Sequence, residues 1–278
     1  MTKYRINKTR FVDQTKTVSF TFDGKKYHGF EGDTLASALL SNGIHLVGRS
    51  FKYHRPRGIM SCGSEEPNAI CQINDNTDLT EPNVRATEIE LYEGLKASSQ
   101  NCWPSLNFDI GGINNLISPF IPAGFYYKTF MWPKSFWKKI YEPLIRLSAG
   151  LGKSPTQPDP DIYDHKHEHC DVLVIGGGIS GIISAKIAAK NNLKTILIED
   201  KNILGGSTIY QNNKNFIIDN KKSNEWLMNE ISELEKLDNL IIKTRTSLAA
   251  FHSYNYLLAK ENISDHLPLN KKNGSIRQ

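Results

Sequence analysis

Cysteine is scarce in this chain, and its few cysteines do not form a disulfide framework. The four cysteines among 278 residues, Cys62, Cys71, Cys102 and Cys170, are scattered. This distribution excludes a disulfide-rich secreted domain. No signal-peptide pattern precedes Arg5, so we expect a reducing, cytoplasmic location.

Long apolar runs and charge of a single sign are also lacking. The longest apolar region, residues 110–132, is interrupted by Pro119, Pro122, Gly124 and Lys128. It therefore does not predict a membrane span, which needs about 20 apolar residues in a row. The 34 basic and 29 acidic residues give a net charge of +5. We expect neither a membrane nor a nucleic acid as partner.

A strand–helix–strand pattern lies between Cys170 and Asp200. Residues 171–175 are apolar and β-branched, as in a buried strand, and a helix rich in Ala and Ile is predicted over 182–190. A second apolar strand is predicted over 195–198. All three elements fit within the roughly thirty residues of a βαβ unit. The pattern predicts a Rossmann-type FAD/NAD(P)-binding domain.

Three glycines join the first strand to the helix in G-x-G-x-x-G spacing. Gly176 permits the tight turn, Gly178 lets the backbone approach a diphosphate, and Gly181 lets the helix lie close to the strand. The phosphates would bind N–H groups near Ser180, and Glu199 would accept hydrogen bonds from the adenosine ribose. An acid there favours NAD or FAD over NADP. The alternative is an ordinary βαβ unit whose glycines only make a turn.

A second glycine pair follows the second strand. Gly205 and Gly206 would bring the backbone close to the dinucleotide again, and the Ser207 hydroxyl would bind it. An amphipathic helix over 224–237, with Ser223 as its cap, and strands over 240–242, 246–251 and 254–258 are predicted next. A doubly wound domain usually has five or six parallel strands. The sequence predicts about three, so we expect an incomplete nucleotide-binding domain over residues 170–278.

The first hundred residues predict a different fold. Strands over 17–22 and 25–30 are joined by a hairpin turn at Asp23 and Gly24. Asp33 is predicted to cap a short helix that stops at Gly43, and strand-like alternation returns over 77–92. Strand, turn, strand and short helix open a β-grasp unit, predicted over 1–100.

The β-grasp fold is that of plant-type [2Fe–2S] ferredoxins, so the cysteines of this part of the chain matter. Those proteins bind the cluster with C-x4-C-x2-C and a distant fourth cysteine. Cys62 and Cys71 are separated by eight residues and do not match that spacing. We therefore predict the fold without an iron–sulfur cluster.

Residues 49–58 combine basic and aromatic side chains. Arginines and a lysine alternate with rings: Arg49, Phe51, Lys52, Tyr53, His54, Arg55 and Arg57. One hypothesis is an anion or nucleic-acid patch. The other, which we favour, is a loop whose arginines pair with carboxylates of a neighbouring domain or subunit, with His54 structural rather than catalytic.

Residues 101–169 connect the two domains. Eleven large aromatic side chains between 103 and 141 are interspersed with Pro and Gly, so this segment cannot form one regular element and is expected to pack on its own domains or on a partner. His165, His167 and His169 alternate in a polar linker. A metal site there lacks a second ligand cluster, so we predict a solvated linker and no metal.

The order of these pieces resembles the alpha subunit family of heterotetrameric sarcosine oxidases. The resemblance rests on residues 48–58 (GRSFKYHRPRG), 127–133 (YKTFMWP), 171–181 (DVLVIGGGISG) and 265–268 (DHLP). It implies a cluster-free β-grasp domain, then a domain that holds NAD. The remaining nucleotide domain and a folate-binding half are absent, so this chain would be a truncated, N-terminal portion.

The resemblance implies oxidative demethylation of sarcosine to glycine, with tetrahydrofolate and O2 as co-substrates. FAD and FMN would lie on or be shared with a partner among the beta, gamma and delta subunits, and this chain would supply NAD binding and subunit contacts but no catalytic residue. Lys201 departs from the family's usual polar or Arg residue. The segment that matches the family's dinucleotide contacts comprises Gly176, Gly178, Ser180, Gly181, Glu199, Asp200, Lys201, Gly205, Gly206 and Ser207.

Two other functions stay open at this point. One is an electron-transfer or NAD/FAD-dependent subunit of an opine or amine dehydrogenase, and the other is a fragment that binds nothing. Because flanking strands are missing, we expect the chain on its own to be inactive and to bind NAD weakly or undetectably.

Overall fold

The computed structural model describes residues 4–5, 11–74, 79–120, 123–124, 130–210, 216–268 and 276–277. The chain forms two compact units, one made mainly of Met1–Pro160 and the other mainly of Asp161–Asp265. Each unit has its own apolar core.

A five-stranded mixed sheet forms the centre of the first unit. Its strand order is β2 (Lys25–Glu31), β1 (Asp13–Phe22), β7 (Leu95–Ser99), β5 (Ile70–Ile73) and β6 (Glu81–Arg85). In this order β1 and β7 are parallel and the other neighbours are antiparallel. This pairing of the first and last strands agrees with the predicted β-grasp unit. The strands of this unit are β1 (Asp13–Phe22), β2 (Lys25–Glu31), β3 (Gly48–Arg49), β4 (Pro56–Arg57), β5 (Ile70–Ile73), β6 (Glu81–Arg85) and β7 (Leu95–Ser99).

The hairpin between β1 and β2 turns at the predicted dipeptide. Asp23 and Gly24 have φ values of 48° and 76°, the left-handed conformations that a two-residue type I′ turn requires. Asp, Asn and Gly adopt such conformations most readily. The hairpin prediction is therefore confirmed.

The first helix, α1 (Leu35–Ser41), is capped by Thr34 rather than by Asp33. The Thr34 hydroxyl accepts from the Ser37 N–H, and the Ser37 hydroxyl accepts from the Thr34 N–H. The prediction of Asp33 as the cap was wrong because this carboxylate is buried and accepts from the Ser37 hydroxyl and the Arg5 guanidinium instead.

The strand predicted over 77–92 is only partly present. Residues 77–78 lie outside the described part of the chain, and β6 ends at Arg85. The side chains of Ala86, Leu91 and Tyr92, which follow β6, are buried although their backbone forms no regular strand. Apolar residues in a buried loop thus resemble a strand in sequence.

The connecting segment forms several short elements, as predicted for a chain interrupted by Pro and Gly. They are α2 (Ile113–Leu116), α3 (Glu142–Ser148), 3-10 turns at Ile110–Gly112 and Ser118–Phe120, and a π-helical turn at Trp137–Tyr141. Many of its apolar side chains are exposed, including Trp103, Phe120 and Trp132. Among the described residues, these side chains are not covered by other parts of the chain.

A three-stranded parallel sheet forms the centre of the second unit. Its order is β13 (Leu240–Lys243), β10 (Thr195–Ile198) and β9 (Val172–Ile175). Helix α4 (Ile179–Lys190) connects β9 to β10, and α5 (Ser223–Leu234) precedes β13. The strands of this unit are β8 (Ile162–Tyr163), β9 (Val172–Ile175), β10 (Thr195–Ile198), β11 (Ile217–Ile218), β12 (Lys221–Lys222), β13 (Leu240–Lys243), β14 (Thr246–His252), β15 (Tyr256–Glu261) and β16 (Ile276–Arg277).

Apolar packing between α4, α5 and the sheet holds the second unit together. Ile182 of α4, Leu197 of β10 and Trp226 of α5 are almost fully buried in one core. A salt bridge of 2.7 Å between Lys186 and Glu230 also joins the two helices. Ser223 was predicted as the cap of this helix, but it is the first helical residue, and the N-cap residue is Lys222.

The helices of the described residues are short, with at most 12 residues each. Among them, no helix has the length and apolar character needed to cross a membrane.

Candidate functional site

The glycine loop lies at the junction of β9 and α4. Gly176 turns the chain with φ 95°, and its N–H donates to the Ile198 carbonyl at 2.8 Å. Gly178 is the N-cap residue of α4 and forms no side-chain cap. The N–H groups of the first helical turn are therefore not capped by a side chain, which suits a helix start that receives an anion.

Two glycines of the motif, Gly178 and Gly181, differ in whether a larger side chain would fit in their place. A Cβ on Gly181 would collide with the Gly176 carbonyl oxygen, so the close helix–strand contact requires glycine there, as predicted. Gly178 has φ −73°, and a Cβ on it would meet only the Cα of Gly206, at 4.0 Å. Folding does not require a glycine at position 178.

The second glycine pair packs against the first loop. The Gly205 N–H donates to the Gly177 carbonyl at 2.8 Å, and a Cβ on Gly206 would lie 2.9 Å from the Gly178 Cα. Both Gly205 and Gly206 have positive φ. The structure therefore brings the two predicted loops into direct contact, with backbone facing backbone.

Glu199 ends β10 and is almost fully buried beside the glycine loop. One carboxylate oxygen accepts from the Gly177 N–H at 2.5 Å, and the other accepts from the Lys201 N–H at 3.0 Å. The Asp200 side chain forms a third hydrogen bond with this carboxyl group. Two oxygens have about four lone-pair sites, so Glu199 retains acceptor capacity for one more donor.

The ionisation of Glu199 is shifted by its surroundings. Burial, and then a hydrogen bond to the neighbouring Asp200 side chain, raise the pKa of Glu199 to about 7. The N–H groups of Lys201 and Gly177 act in the opposite direction without overcoming burial. The acid thus titrates near neutrality.

The other predicted site residues surround this junction. Ser180 is exposed on the first turn of α4, Asp200 is exposed after β10, and Ser207 is exposed on the 3-10 turn Gly206–Ile209. Lys201 is half-buried, and its Nζ donates to the Tyr210 hydroxyl at 2.7 Å and lies 4.6 Å from the ring centroid. Lys201 thus contacts both the hydroxyl and the ring of Tyr210.

Two residues at this junction were missed by sequence reasoning. Gly177 donates to Glu199, and a Cβ on it would lie 3.0 Å from that carboxylate. The run of three consecutive glycines was the available signal. Tyr210, the partner of Lys201, gave no signal because a lone tyrosine in a polar stretch has no distinctive spacing.

The basic loop of the first unit is bound to its own domain. The Arg49 guanidinium donates to the Leu106 carbonyl at 2.6 and 3.0 Å and to the His54 carbonyl at 3.2 Å. Arg55 donates to the Asn115 side-chain oxygen at 2.8 Å. Within the described residues, Arg49 and Arg55 thus bond to carbonyls and an amide of the same unit. Pairing of this loop with carboxylates of a neighbouring subunit stays a prediction. His54 Nδ1 lies 2.6 Å from the buried Asp109 carboxylate.

Among the described residues, the side chains that could ligate iron or another metal do not converge. Cys62 is exposed, whereas Cys71 is buried on β5, and burial raises the pKa of its thiol to about 12. In the described ranges, no three His, Cys, Asp or Glu side chains are grouped as metal ligands. His165, His167 and His169 are exposed.

Two family models match the chain. One, described as a 2Fe-2S iron-sulfur cluster binding domain, matches residues 15–102. The other, described as FAD dependent oxidoreductase, matches residues 171–260. A ferredoxin-like domain followed by an FAD-oxidoreductase domain is therefore confirmed.

The first match corrects one prediction. We predicted that the chain has no iron–sulfur cluster, and the match to a cluster-binding domain over 15–102 contradicts this. The prediction compared Cys62 and Cys71 with the plant-type spacing alone. That spacing describes one group of ferredoxins, so a departure from it does not decide the matter.

Curated relatives match nearly the whole chain. It is 48% identical over 267 residues to sarcosine oxidase subunit alpha of Rhizobium meliloti (strain 1021), covering 96% of this chain and 27% of that protein. It is 27% identical over 258 residues to the subunit of the same name from Corynebacterium sp. (strain U-96), covering 92% of this chain and 22% of that protein. The predicted resemblance is therefore confirmed: the chain is a homologue of these subunits and spans about a quarter of their length. These matches support an oxidoreductase role.

A solved structure shares the fold. The crystal structure of L-proline dehydrogenase from P. horikoshii matches with a TM-score of 0.54 at 20% identity, covering 95% of this chain and 39% of that one. At this identity the likeness concerns the fold alone.

Proposed function

We propose that this chain is the dinucleotide-binding part of a sarcosine oxidase-like enzyme. That enzyme would demethylate sarcosine oxidatively to glycine, with tetrahydrofolate and O2 as co-substrates. The chain would bind NAD and contact beta, gamma and delta subunits, and it would be inactive alone. The observation that carries the proposal is the open space beside Gly178 at an uncapped helix start, next to the buried Glu199.

The diphosphate would bind at the start of α4. N–H groups of the first turn and the positive end of the helix dipole favour an anion there. Because a Cβ on Gly178 would meet only Gly206 at 4.0 Å, the space in front of the loop is open to phosphate oxygens. Ser180 and Ser207 would offer hydroxyl groups from the exposed side.

The adenosine ribose would bind at the end of β10. Glu199 keeps acceptor capacity beyond its two backbone donors and would accept from the ribose hydroxyls. Asp200 follows it directly, and neither residue offers a positive charge to a 2′-phosphate. We therefore infer NAD as the ligand, in preference to NADP.

FAD is the second ligand to consider. It shares the adenosine diphosphate half with NAD, and the match of residues 171–260 to FAD dependent oxidoreductases favours it. In the proposed enzyme, flavins on or shared with a partner subunit would supply the redox chemistry, and NAD bound to this chain would not be the oxidant. The residues of this chain would bind and orient the adenosine diphosphate half, and none of them is assigned a catalytic role.

Ligand-observed NMR tests the proposal, because it detects weak binding. Saturation transferred from the protein to the adenine and ribose protons of NAD would report contact. Because the described chain already brings both glycine loops and Glu199 together, we expect a weak signal for NAD or FAD and a still weaker one for NADP. A chain that gives no signal with NAD or FAD, or an equal signal with NADP, would contradict the proposal.

Electron transfer is a second candidate function, favoured by the match of residues 15–102 to a cluster-binding domain. A visible spectrum of aerobically purified protein tests it. Broad absorption beyond the protein band supports this function, and a spectrum without it argues against this function.

A further inference from the structure

Two acidic side chains meet at the end of β10, beside the glycine loop. Glu199 is only 5% exposed, and the side chain of the exposed Asp200 forms a hydrogen bond with its carboxyl group. An ionised carboxylate only accepts hydrogen bonds, so two carboxyl groups that are bonded to each other hold a proton between them. We name Glu199 and Asp200 the acid pair.

Other charged groups near the acid pair come from the segment that follows it and from β13. Lys201 is the next residue, and its Nζ is bonded to a tyrosine hydroxyl. The Lys243 carbonyl on β13 accepts from the Glu199 N–H, and the Arg245 N–H donates to the Lys201 carbonyl. Residues 172–185, which form β9, the glycine loop and the start of α4, include no titratable side chain.

Burial and the neighbouring acid, in that order, control the ionisation of Glu199. The ammonium group of Lys243 pairs with Glu168 and Glu261, each at 3.1 Å. Burial, and then the bond to Asp200, raise the pKa of Glu199 to about 7. The acid pair therefore exchanges its proton near neutral pH, where a bound ligand can shift the release.

The shared proton limits how many hydrogen bonds Glu199 can accept. Its two oxygens have about four lone-pair sites, and the N–H groups of Gly177 and Lys201 take two of them. The bond to Asp200 takes a third while the proton is present. One site is then left, whereas an adenosine ribose has two hydroxyl groups to donate. Loss of the proton breaks the bond between the acids and frees a second acceptor.

We propose that binding of the dinucleotide is coupled to release of the proton that the acid pair shares. This inference rests on the proposed function, since it needs the ribose at Glu199. In the free site the pair holds one proton. In the liganded site both ribose hydroxyls donate to the ionised Glu199, and the proton goes to the solvent.

The coupling makes the affinity for NAD depend on pH. Hydrogen bonds to the charged form of a carboxyl group lower its pKa, so the ribose favours the ionised acid pair. Affinity therefore rises with pH until the free acid pair has lost its proton, and it is constant above that pH.

Saturation-transfer NMR titrations with NAD, from about pH 5.5 to about pH 8, test the inference across the expected titration. NAD suits the test because its diphosphate is esterified at both ends and keeps its charge. We expect the affinity to rise by about tenfold or more over this range, since release of one proton permits at most about tenfold per pH unit.

Three variants separate the acid pair from other titrating groups. Glu199→Gln has no proton to release, so its affinity for NAD should be nearly independent of pH. Asp200→Asn removes the acid that helps to raise the Glu199 pKa, so the rise should move to lower pH. Asp238→Asn is the matched control, because Asp238 is an exposed aspartate elsewhere in the second unit. It should keep the wild-type profile, and circular dichroism at each pH establishes folding.

Several results would overturn the inference. A pH-independent affinity in wild type would do so and leave the proposed function intact. So would an affinity that falls as pH rises, because repulsion between the diphosphate and Glu199 would then outweigh the ribose bonds. A wild-type profile in Glu199→Gln or Asp200→Asn would exclude the acid pair as the cause. Absence of NAD contact at every pH would contradict the proposed function itself, and the inference with it.

Discussion

Two buried glutamates show how nearby donors and a neighbouring carboxyl group shift the pKa of a buried acid. Glu66 accepts four backbone N–H groups, those of Met60, Ser61, Asn68 and Ala69, at 2.6–3.1 Å. Burial alone would raise the pKa of Glu66, but these four donors together hold it below its ordinary value of 4.5. Glu199 has two such donors, and burial raises its pKa to about 7.

Glu66→Gln should destabilise the first unit. The amide would turn an NH2 group toward backbone N–H donors that are buried, leaving them without an acceptor. We expect the free energy of unfolding, measured with urea, to fall by about 2 kcal/mol. Glu65→Gln is the control, because Glu65 is exposed and should change little.

Low pH should remove the stabilisation that the Glu66 carboxylate gives to the first unit. Since the pKa of Glu66 is lower in the folded state than in the unfolded state, its contribution is present above the ordinary value of 4.5 and is lost as pH falls through the folded value. A difference between wild type and Glu66→Gln that stays constant from neutral pH into strong acid would contradict this account.

Glu199 should show the opposite pH dependence. Its pKa is raised on folding, so the folded state holds the proton more tightly, and its contribution to stability falls as pH rises from about 4.5 to about 7. Urea unfolding of wild type and Glu199→Gln across this range measures the effect. The stability of wild type relative to the variant should decrease with rising pH, and a relative stability that increases would refute the assignment.

At the scale of elements, the junction of β9 and α4 depends on Gly181. Gly181→Ala would place a methyl group against the Gly176 carbonyl oxygen, so strand and helix would have to separate. We expect a loss of about 1–3 kcal/mol in the stability of the second unit. Ser184→Ala, at an exposed position of the same helix, should be neutral or slightly stabilising. Equal stability of both variants would argue against the close contact.

The strands that could be predicted from sequence are those whose burial is visible as a continuous run of apolar residues. Residues 172–175 and 195–198 are continuous apolar runs between turn signals, and both were predicted within one residue. β7 reads Leu-Lys-Ala-Ser-Ser and was missed, because its place between β1 and β5 comes from distant pairing. Its small polar residues carry no alternation to signal that place.

The same distinction applies to the candidate site. The glycines and Glu199 have fixed spacing, so sequence could identify them. The contact of Gly206 with Gly178, and that of Lys201 with Tyr210, arise from loops that fold back. No local pattern encodes them.

At the scale of the whole molecule, the two units differ in the size of their cores. The first has the larger group of buried apolar residues, and Trp226 in the second is the one tryptophan of the chain that is almost fully buried. Its fluorescence therefore reports the unfolding of the second unit, whereas circular dichroism reports both.

We expect the second unit, which has the smaller core, to unfold first. The midpoint of the fluorescence change should therefore lie at a lower urea concentration than the end of the circular dichroism transition. NAD should raise the fluorescence midpoint alone, since a ligand stabilises the unit that binds it. Coincident transitions, both raised by NAD, would contradict the assignment of the ligand to the second unit.

The central claim is that the glycine loop holds a diphosphate, and Gly178→Ala tests it most directly. At φ −73°, with its nearest neighbour at 4.0 Å, the added methyl group should leave folding intact while occupying the space that phosphate oxygens need. Saturation-transfer NMR with NAD should show contact in wild type and a loss of about tenfold or more in affinity, about 1.4 kcal/mol, in the variant. Because alanine is a poorer N-cap residue than glycine, the melting temperature should fall by about a few degrees at most, without loss of the fold. Equal NAD contact in both proteins would contradict the account.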